Sequence, residues 1–260
     1  MKAKSYPQKI KSFLQNAAIT KNLNGYSNDE VFFVQKKTGN YYLKIKEKKS
    51  FRSLAYEVRV LGWLEGKIPA PTAVLYECDE AYEFLVMSEI AGDPPFSERF
   101  RNDRLQAVRE LARTLRLIHR LDIRDCELVQ DLDFLLKAVS ERVFSGKVDE
   151  GRFEGKYSGL SGKELYSILE RKDKPSQDLV FTHGDFCLPN ILLVDLSLSG
   201  VIDWGSAGIA DRYQDLALAY RSLKYNQFSD NEIDCFFGVY GVSEIDRTKI
   251  EYYILLDEFF

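Results

Sequence analysis

The sequence is poor in the residues that mark several common classes of protein. It has four cysteines and two histidines, with no Cys-x-x-Cys pair, so it predicts neither a disulfide scaffold nor a zinc site and favours reduced thiols. No apolar run approaches the roughly 20 residues of a transmembrane helix, and the start of the chain lacks a signal-peptide core. We therefore expect a cytoplasmic protein with no membrane partner.

The sequence also lacks an excess of positive charge. Lys and Arg number 36 against 40 Asp and Glu, which gives a net charge of -4 and a pI near 5.5. A protein that binds nucleic acid through a broad basic face would show the opposite balance, so we expect no nucleic-acid partner. Four lysines do cluster within residues 44–49, and we interpret them as a solvated strand end with one functional lysine.

Hydrophobic periodicity divides the chain into a strand-rich first third and a helical remainder. One helix is predicted over residues 54–64, and five short runs have the composition of β-strands: residues 17–23, 30–35, 41–46, 73–77 and 82–88. After Glu89, apolar stripes predict helices at residues 105–118 and 132–143, and capping patterns predict three more helices that begin at Ser161, Ser229 and Ser243.

These patterns predict an α+β fold of two lobes. The first lobe, residues 1–88, would contain an antiparallel five-stranded sheet with one helix. The second lobe, residues 89–260, would be mainly helical, and the boundary would fall at about residues 88–92. Residues 145–162 are polar and rich in glycine, so we expect a loop or substrate-facing insertion there.

The residues most indicative of chemistry lie between positions 180 and 205. An apolar run ends in His183-Gly184-Asp185, Asn190 follows five residues later, and Asp203 closes a second apolar run. Asp185 is placed to accept a proton from an attacking hydroxyl, while Asn190 and Asp203 offer the oxygen ligands that Mg²⁺ prefers. The set predicts phosphoryl transfer, with a helix or turn cap as the alternative for Asp185. We expect the His183 imidazole to brace the loop by hydrogen bonding to backbone.

Candidate phosphate-binding residues lie in the strand-rich part of the chain. Gly25-Tyr26-Ser27-Asn28 joins two predicted strands, so its amides and the Ser27 hydroxyl could cover nucleotide phosphates, although an ordinary hairpin turn would look similar. Lys44 follows one strand later, where a kinase keeps its phosphate-binding lysine. Glu57 lies on the core-facing edge of the predicted helix, and a buried acid needs a partner, for which Lys44 is the candidate. An exposed Glu57 is the alternative.

With these motifs the sequence resembles the aminoglycoside 3'-phosphotransferases, bacterial antibiotic-resistance kinases with a protein-kinase-like fold. The resemblance covers nearly the whole chain. It rests on Gly25-Tyr26-Ser27, Tyr42-Leu43-Lys44, residues 63–67, Met87-Ser88-Glu89, His183-Gly184-Asp185, Ile202-Asp203, and residues 210–215 and 256–260. It implies short catalytic hairpins in the second lobe and an enzyme that is a monomer or a weak homodimer.

The resemblance implies how the nucleotide would bind. Tyr42 would stack on adenine, and the backbone of Ser88, Glu89 and Ala91 would form the hinge that meets the adenine edge. Ser27 and Lys44 would hold the phosphates of ATP, with GTP as an alternative donor, together with Mg²⁺.

The resemblance also implies a pocket for a cationic drug. Glu258 and the terminal carboxylate of Phe260 would bind ammonium groups, and Glu150 and Glu154 would complete an anionic wall unless they belong to a solvated loop. The chain departs from the family pattern at three positions. Ser206 replaces an arginine, and Tyr225 and Asn226 replace acids, which leaves Asn226 as a neutral substrate-side residue.

The expected function is ATP- and Mg²⁺-dependent phosphorylation of a hydroxyl, the 3'-hydroxyl, of kanamycin- or neomycin-type aminoglycosides, which would give antibiotic resistance. One alternative is a kinase of the same fold that acts on another hydroxylated cation or sugar, as Ser206, Tyr225 and Asn226 suggest. The other is an inactive nucleotide-binding pseudokinase. The presence of all five polar residues of the predicted phosphoryl-transfer centre argues against it: Lys44, Glu57, Asp185, Asn190 and Asp203.

Overall fold

The computed structural model of the chain describes residues 6–22 and 29–260, which divide into two compact units. The first unit lies within Met1–Gly92 and Ser199–Ser206, and the second comprises Asp93–Leu198 and Ala207–Phe260. The sequence pattern assigns residues 199–206 to the helical lobe, and the structure corrects this assignment. Val201 N donates to Pro69 O across 3.0 Å, so backbone pairing draws the segment into the first unit.

The first unit is built on a five-stranded antiparallel sheet, as the sequence predicts. The strand order is β1-β2-β3-β5-β4. The strands are β1 (Ala18–Asn22), β2 (Glu30–Lys36), β3 (Gly39–Glu47), β4 (Ala73–Cys78) and β5 (Tyr82–Ser88). The strand β3 is therefore central, and its register places Lys44 opposite Leu85 and Tyr42 opposite Met87.

Two helices accompany this sheet, where the sequence predicts one. Helix α1 (Gln8–Leu14) follows Pro7 and buries Ile10 completely in the cluster that contains Phe84. A helix of two turns is too short to show a clear 3.6-residue period, which explains why the pattern misses it. Helix α2 (Leu54–Leu64) is the predicted one, and Ser53 caps it by accepting a hydrogen bond from Ala55 N across 3.0 Å.

The second unit is mainly helical. Its helices are α3 (Arg104–Ile118), α4 (Leu132–Phe144), α5 (Gly162–Glu170), α6 (Arg212–Tyr225), α7 (Asp230–Tyr240) and α8 (Arg247–Asp257). The capping boxes at Ser161 and Ser229 are confirmed. The start predicted at Ser243 is wrong, because Asp246 caps α8 by accepting from Lys249 N across 3.0 Å.

Helix α6 is not among the helices that the sequence predicts. Eight of its 14 residues are buried, and they lie on most sides of the helix. Such a helix lacks the one-sided apolar stripe from which periodicity is recognised. The predicted loop at residues 145–162 contains two single 3₁₀ turns, Glu150–Arg152 and Gly155–Tyr157.

Short strands complete the α+β fold and flank the segments that contain Asp185 and Asp203. They are β6 (Leu179–Thr182), β7 (Ile191–Val194), β8 (Ser197–Val201) and β9 (Gly208–Asp211). Strand β6 pairs antiparallel with β9, and β7 pairs with β8. Strands β7 and β8 therefore form one of the predicted short hairpins, whereas β6 and β9 lie too far apart in the chain to form another. The four cysteines form no disulfide, and within residues 6–22 and 29–260 no helix is both long and apolar enough to span a membrane.

Candidate active site

A buried lysine in the first unit is held between two carboxylates. Lys44 Nζ lies 3.0 Å from Glu57 Oε2 and 2.8 Å from Asp203 Oδ1. Glu57 is only 2% exposed, which confirms the predicted pair and excludes an exposed Glu57. Burial lowers the pKa of Lys44, but the charges of Asp203 and Glu57 raise it by more, so the ammonium form is favoured. The contact with Asp203 was not predicted.

The helix that carries Glu57 is anchored by a second buried acid, Glu83 on β5. Glu83 Oε2 accepts from Leu54 N across 3.0 Å, and Oε1 accepts from the hydroxyls of Ser53 and Tyr76, each across 2.6 Å. Burial raises the pKa of Glu83, but these hydrogen bonds lower it by more and leave it below its usual value. Sequence reasoning missed this residue, although a lone acid in an otherwise apolar strand is a signal that could have found it.

The predicted adenine platform lies on the same strand as the lysine. Tyr42 and Lys44 are two residues apart on β3, so their side chains leave the same face of the sheet. The half-buried Tyr42 ring lies 5.4 Å from the Phe33 ring and packs near Met87. Burial and the nearby Glu89 carboxylate raise the pKa of Tyr42. Ser27, the predicted phosphate-loop residue, lies outside the described residues.

The hinge amides that precede residue 90 already have protein partners. Ser88 N donates to Thr72 O across 3.0 Å, and Glu89 N donates to Asn40 O across 3.1 Å. Asn40 Nδ2 also donates to Glu89 Oε2 across 2.8 Å. Ser88 and Glu89 were predicted to meet the adenine edge through their backbone. In this structure their N–H groups are already hydrogen-bonded and are not available for that role. At Ala91 the carbonyl oxygen accepts a hydrogen bond from the Ser199 hydroxyl across 2.5 Å.

Asp203 sits in an unusual backbone conformation. Its φ of 64° lies in the left-handed region, which costs a non-glycine residue about 1–2 kcal/mol. The fully buried Trp204 follows and donates from Nε1 to Val201 O across 2.7 Å. Two residues after Trp204, the Ser206 hydroxyl accepts a hydrogen bond from Arg52 Nη1. These contacts hold the strained turn. The Asp203 side chain is 45% exposed, and its carboxylate contacts Lys44 Nζ.

In the second unit the structure brings Asp185 and Asn190 together. Asn190 Nδ2 donates to the backbone oxygen of Asp185 across 2.9 Å and to Asp185 Oδ2 across 3.2 Å. The thiol of Cys187 donates to Asp185 Oδ1 across 3.2 Å. Because the Asn190 amide nitrogen is engaged, its amide oxygen is the atom left for a metal. Amide and carboxylate oxygens are the hard donors that Mg²⁺ takes.

A buried carboxylate below this loop fixes its backbone. Asp215 accepts from His183 N across 2.7 Å and from Gly184 N across 2.8 Å, and His119 Nε2 lies 3.0 Å from the same carboxylate. His183 Nδ1 accepts from Asp185 N across 3.3 Å, which is the backbone brace expected of it. The positioning role of Asp215 was missed. A carboxylate in the first turn of α6, directly before the apolar run that begins at Leu216, was the available signal.

Two of the acids predicted to bind the drug, Glu154 and Glu258, already contact each other and Arg221. Glu258, whose side chain is 3% exposed, accepts from Glu154 N across 2.8 Å. Arg221 Nη1 lies 3.7 Å from Glu258 and 3.9 Å from Glu154, and its other terminal nitrogen contacts Asp257. Burial raises the pKa of Glu258. The structure thus gathers Glu154 and Glu258 around Arg221 instead of presenting an uncompensated anionic wall.

The other predicted drug contacts also have partners within the second unit. Glu150 Oε1 accepts from Gly162 N across 2.7 Å, and Asn226 Nδ2 donates to Ser222 O across 2.8 Å. The backbone oxygen of Phe260 lies 3.5 Å from Arg142 Nη2. A cavity of about 310 Å³ opens beside Glu154. Its other lining residues are Lys156, Tyr220, Arg221, Lys224, Ile245, Arg247, Ile250, Glu251 and Ile254.

Comparisons with known proteins agree with this geometry. The model of the Phosphotransferase enzyme family matches residues 18–253. An aminoglycoside 3'-phosphotransferase from Niallia circulans is 37% identical over 259 residues, which cover 99% of this chain and 98% of the relative. Another from Enterococcus faecalis is 32% identical and covers 96% and 97%.

Solved structures of similar proteins show the same fold. A crystal structure of an aminoglycoside-3'-phosphotransferase of type VIII superposes with a TM-score of 0.85 at 30% identity, with 94% of each chain covered. The aminoglycoside phosphotransferase APH(3'')-Id from Streptomyces rimosus, solved with ADP and streptomycin, gives a TM-score of 0.78 at 25% identity and covers 91% of this chain and 94% of its own.

Proposed function

We propose that this chain, which belongs to the aminoglycoside 3'-phosphotransferase family, transfers the γ-phosphoryl group of ATP to an acceptor hydroxyl. The proposed acceptor is the 3'-hydroxyl of kanamycin- or neomycin-type aminoglycosides. Such a reaction would give resistance to these antibiotics. The observation that carries the proposal is the pairing of Lys44 with Glu57 and Asp203 in the first unit. A buried, charged lysine held by a buried glutamate beside a partly exposed aspartate is an arrangement that kinases use to bind phosphates and a metal ion.

Lys44 would hold the phosphates of the nucleotide. Of its two carboxylate partners, Glu57 is buried and Asp203 is partly exposed. The ammonium can therefore exchange Asp203 for a phosphate oxygen while Glu57 continues to hold it in place. Asp203 and Asn190 would supply oxygen ligands to Mg²⁺, which would neutralise charge on the phosphates when bound.

Adenine would lie against Tyr42 on β3, and its edge would meet the hinge. Since the N–H groups of Ser88 and Glu89 are engaged, we assign the donating role to the later amides of Ile90 and Ala91. ATP is the proposed donor because the similar Streptomyces rimosus phosphotransferase was solved with ADP. GTP is the alternative donor, which the same assay can measure. Residues 1–88 would thus form the nucleotide-binding lobe.

Asp185 would orient the acceptor hydroxyl and take its proton. Its carboxylate receives donors on both oxygens, from Cys187 and Asn190, and is partly exposed at the end of β6. Positioning of this kind is most of what a protein contributes to phosphoryl transfer. We propose that the enzyme acts in the cytoplasm as a monomer or weak homodimer.

A second candidate is a kinase of the same fold whose acceptor carries fewer ammonium groups. The contacts of Arg221 with Glu154, Asp257 and Glu258 favour it, because the guanidinium offsets one of these three negative charges and so weakens the attraction for a polycation. This alternative changes the acceptor and leaves the chemistry at Asp185 unchanged.

A steady-state assay over a panel of acceptors tests the proposal. Kanamycin, neomycin and streptomycin would be compared with uncharged sugars, using ATP or GTP with Mg²⁺. We expect turnover with kanamycin or neomycin, and its loss in Asp185→Asn but not in Asp133→Asn, a matched change at an exposed position. Turnover only with weakly charged acceptors would favour the second candidate, and nucleotide binding without transfer to any acceptor would contradict both.

A further inference from the structure

We propose that Cys187 is a positioning residue that fixes the rotation of the Asp185 carboxylate through a thiol hydrogen bond. The inference rests on the proposed function, in which Asp185 orients the acceptor hydroxyl. It concerns a side chain to which the sequence patterns assign no role beyond that of a reduced thiol.

The structure places a donor on both oxygens of the carboxylate. Cys187 Sγ lies 3.2 Å from Asp185 Oδ1, and Asn190 Nδ2 lies 3.2 Å from Oδ2. The last torsion of an aspartate is broad, so the carboxylate plane rotates easily unless it is held. Donors on the two oxygens restrict that torsion, and removing the thiol donor would loosen the restraint.

The turn that carries the thiol is itself held in place. Cys187 N donates to Asp185 O across 2.8 Å, and Asn190 N donates to Cys187 O across 3.0 Å. The next amide, Leu188 N, donates to the Ser222 hydroxyl on α6 across 3.0 Å. These bonds fix the backbone of Cys187 relative to Asp185, so the thiol stays within reach of the carboxylate.

The thiol keeps its proton and donates weakly. Burial raises the pKa of Cys187 well above its usual value, and the charges of Asp185 and Asp257 raise it further. The group is thus a donor at neutral pH and a poor nucleophile. Because a thiol is a weak donor, it can orient the carboxylate while lowering the basicity of Asp185 less than a hydroxyl or an amide would.

Kinetics of three variants test this role. Cys187→Ala removes the donor, Cys187→Ser retains one, and Cys235→Ala is a matched control on α7. We expect kcat to fall about 5- to 30-fold in Cys187→Ala, as the loss of one hydrogen bond to a charged group implies. KM for ATP should stay within about twofold, because the thiol contacts Asp185 and not the nucleotide site. Cys187→Ser should restore kcat to within about threefold of wild type.

Two results would overturn the inference. One is a Cys187→Ala enzyme with the wild-type kcat. The other is a Cys187→Ser enzyme as impaired as Cys187→Ala, which would indicate that only the size of the sulfur matters.

Raman spectroscopy of the thiol separates this inference from the proposed function. In a variant with Cys78, Cys126 and Cys235 changed to serine, the S–H stretching band reports the hydrogen bond of Cys187 alone. Asp185→Asn in that background should shift the band to higher frequency, because the thiol loses a charged acceptor. If the wild-type enzyme phosphorylates no acceptor, the proposed function fails while this measurement still decides the contact. An unchanged S–H band would refute the contact whatever the activity.

Discussion

Replacing Glu57 with glutamine tests how the buried lysine is held. The change keeps the size of the side chain and removes its charge. Losing one partner of a fully buried ion pair typically costs about 3–5 kcal/mol, because a bare charge remains. Here Asp203 stays 2.8 Å from Lys44 Nζ and is partly exposed, so the lysine retains a charged partner near water. We therefore expect Glu57→Gln to lower the free energy of unfolding by about 1–3 kcal/mol.

The same substitution should weaken nucleotide use. With Glu57 neutral, Asp203 becomes the main partner of Lys44, and the ammonium is less available to phosphate. We expect kcat/KM for ATP to fall about 10- to 100-fold. Urea unfolding and initial-rate kinetics measure the two effects. Glu77→Gln is the control, since Glu77 pairs with Lys9 at the surface and should change stability by about 0–1 kcal/mol. If Glu57→Gln is as mild as Glu77→Gln, the reasoning is refuted.

Three further substitutions test the supports of the site. Glu83→Gln should cost about 1–2 kcal/mol at neutral pH. Because hydrogen bonds lower the pKa of Glu83 below 4.5 despite its burial, this difference should vanish as the pH falls through the folded-state pKa, which urea unfolding across pH can follow. Asp215→Asn can accept from only one of the two catalytic-loop amides, so unfolding and kinetics should show about 1–3 kcal/mol less stability and a lower kcat. Gly200→Ala would place a Cβ 2.9 Å from Ile90 and should cost about 1–3 kcal/mol by urea unfolding, whereas Gly62→Ala, which meets nothing within 4 Å, should cost nothing.

Interactions that follow from local pattern and burial could be predicted from the sequence. The helical period placed Glu57 on the core side of α2, and the cost of burying a lone acid then indicated Lys44 as its partner. Both capping boxes could be predicted because a capping box involves residues only three positions apart. The strands of the first unit were found because each alternates or clusters apolar residues within a short window.

Contacts between segments far apart in the chain could not be predicted in this way. The support of the catalytic loop by Asp215 depends on how α6 packs beneath β6. The engagement of the Ser88 and Glu89 amides depends on backbone partners at Thr72 and Asn40. Similarly, an acid such as Glu154 suggests an anionic surface until its proximity to a cation from α6 is known. Local sequence carries no record of these neighbours.

The most direct test of the central claim is to identify the product made from kanamycin, ATP and Mg²⁺. Mass spectrometry and NMR of the purified product give the number of phosphates and the hydroxyl that carries them. Our account predicts a single phosphate on the 3'-hydroxyl, formed by the wild-type enzyme and by Asp133→Asn but not by Asp185→Asn. Unmodified kanamycin, a phosphate on another hydroxyl, or equal product formation by Asp185→Asn would contradict it.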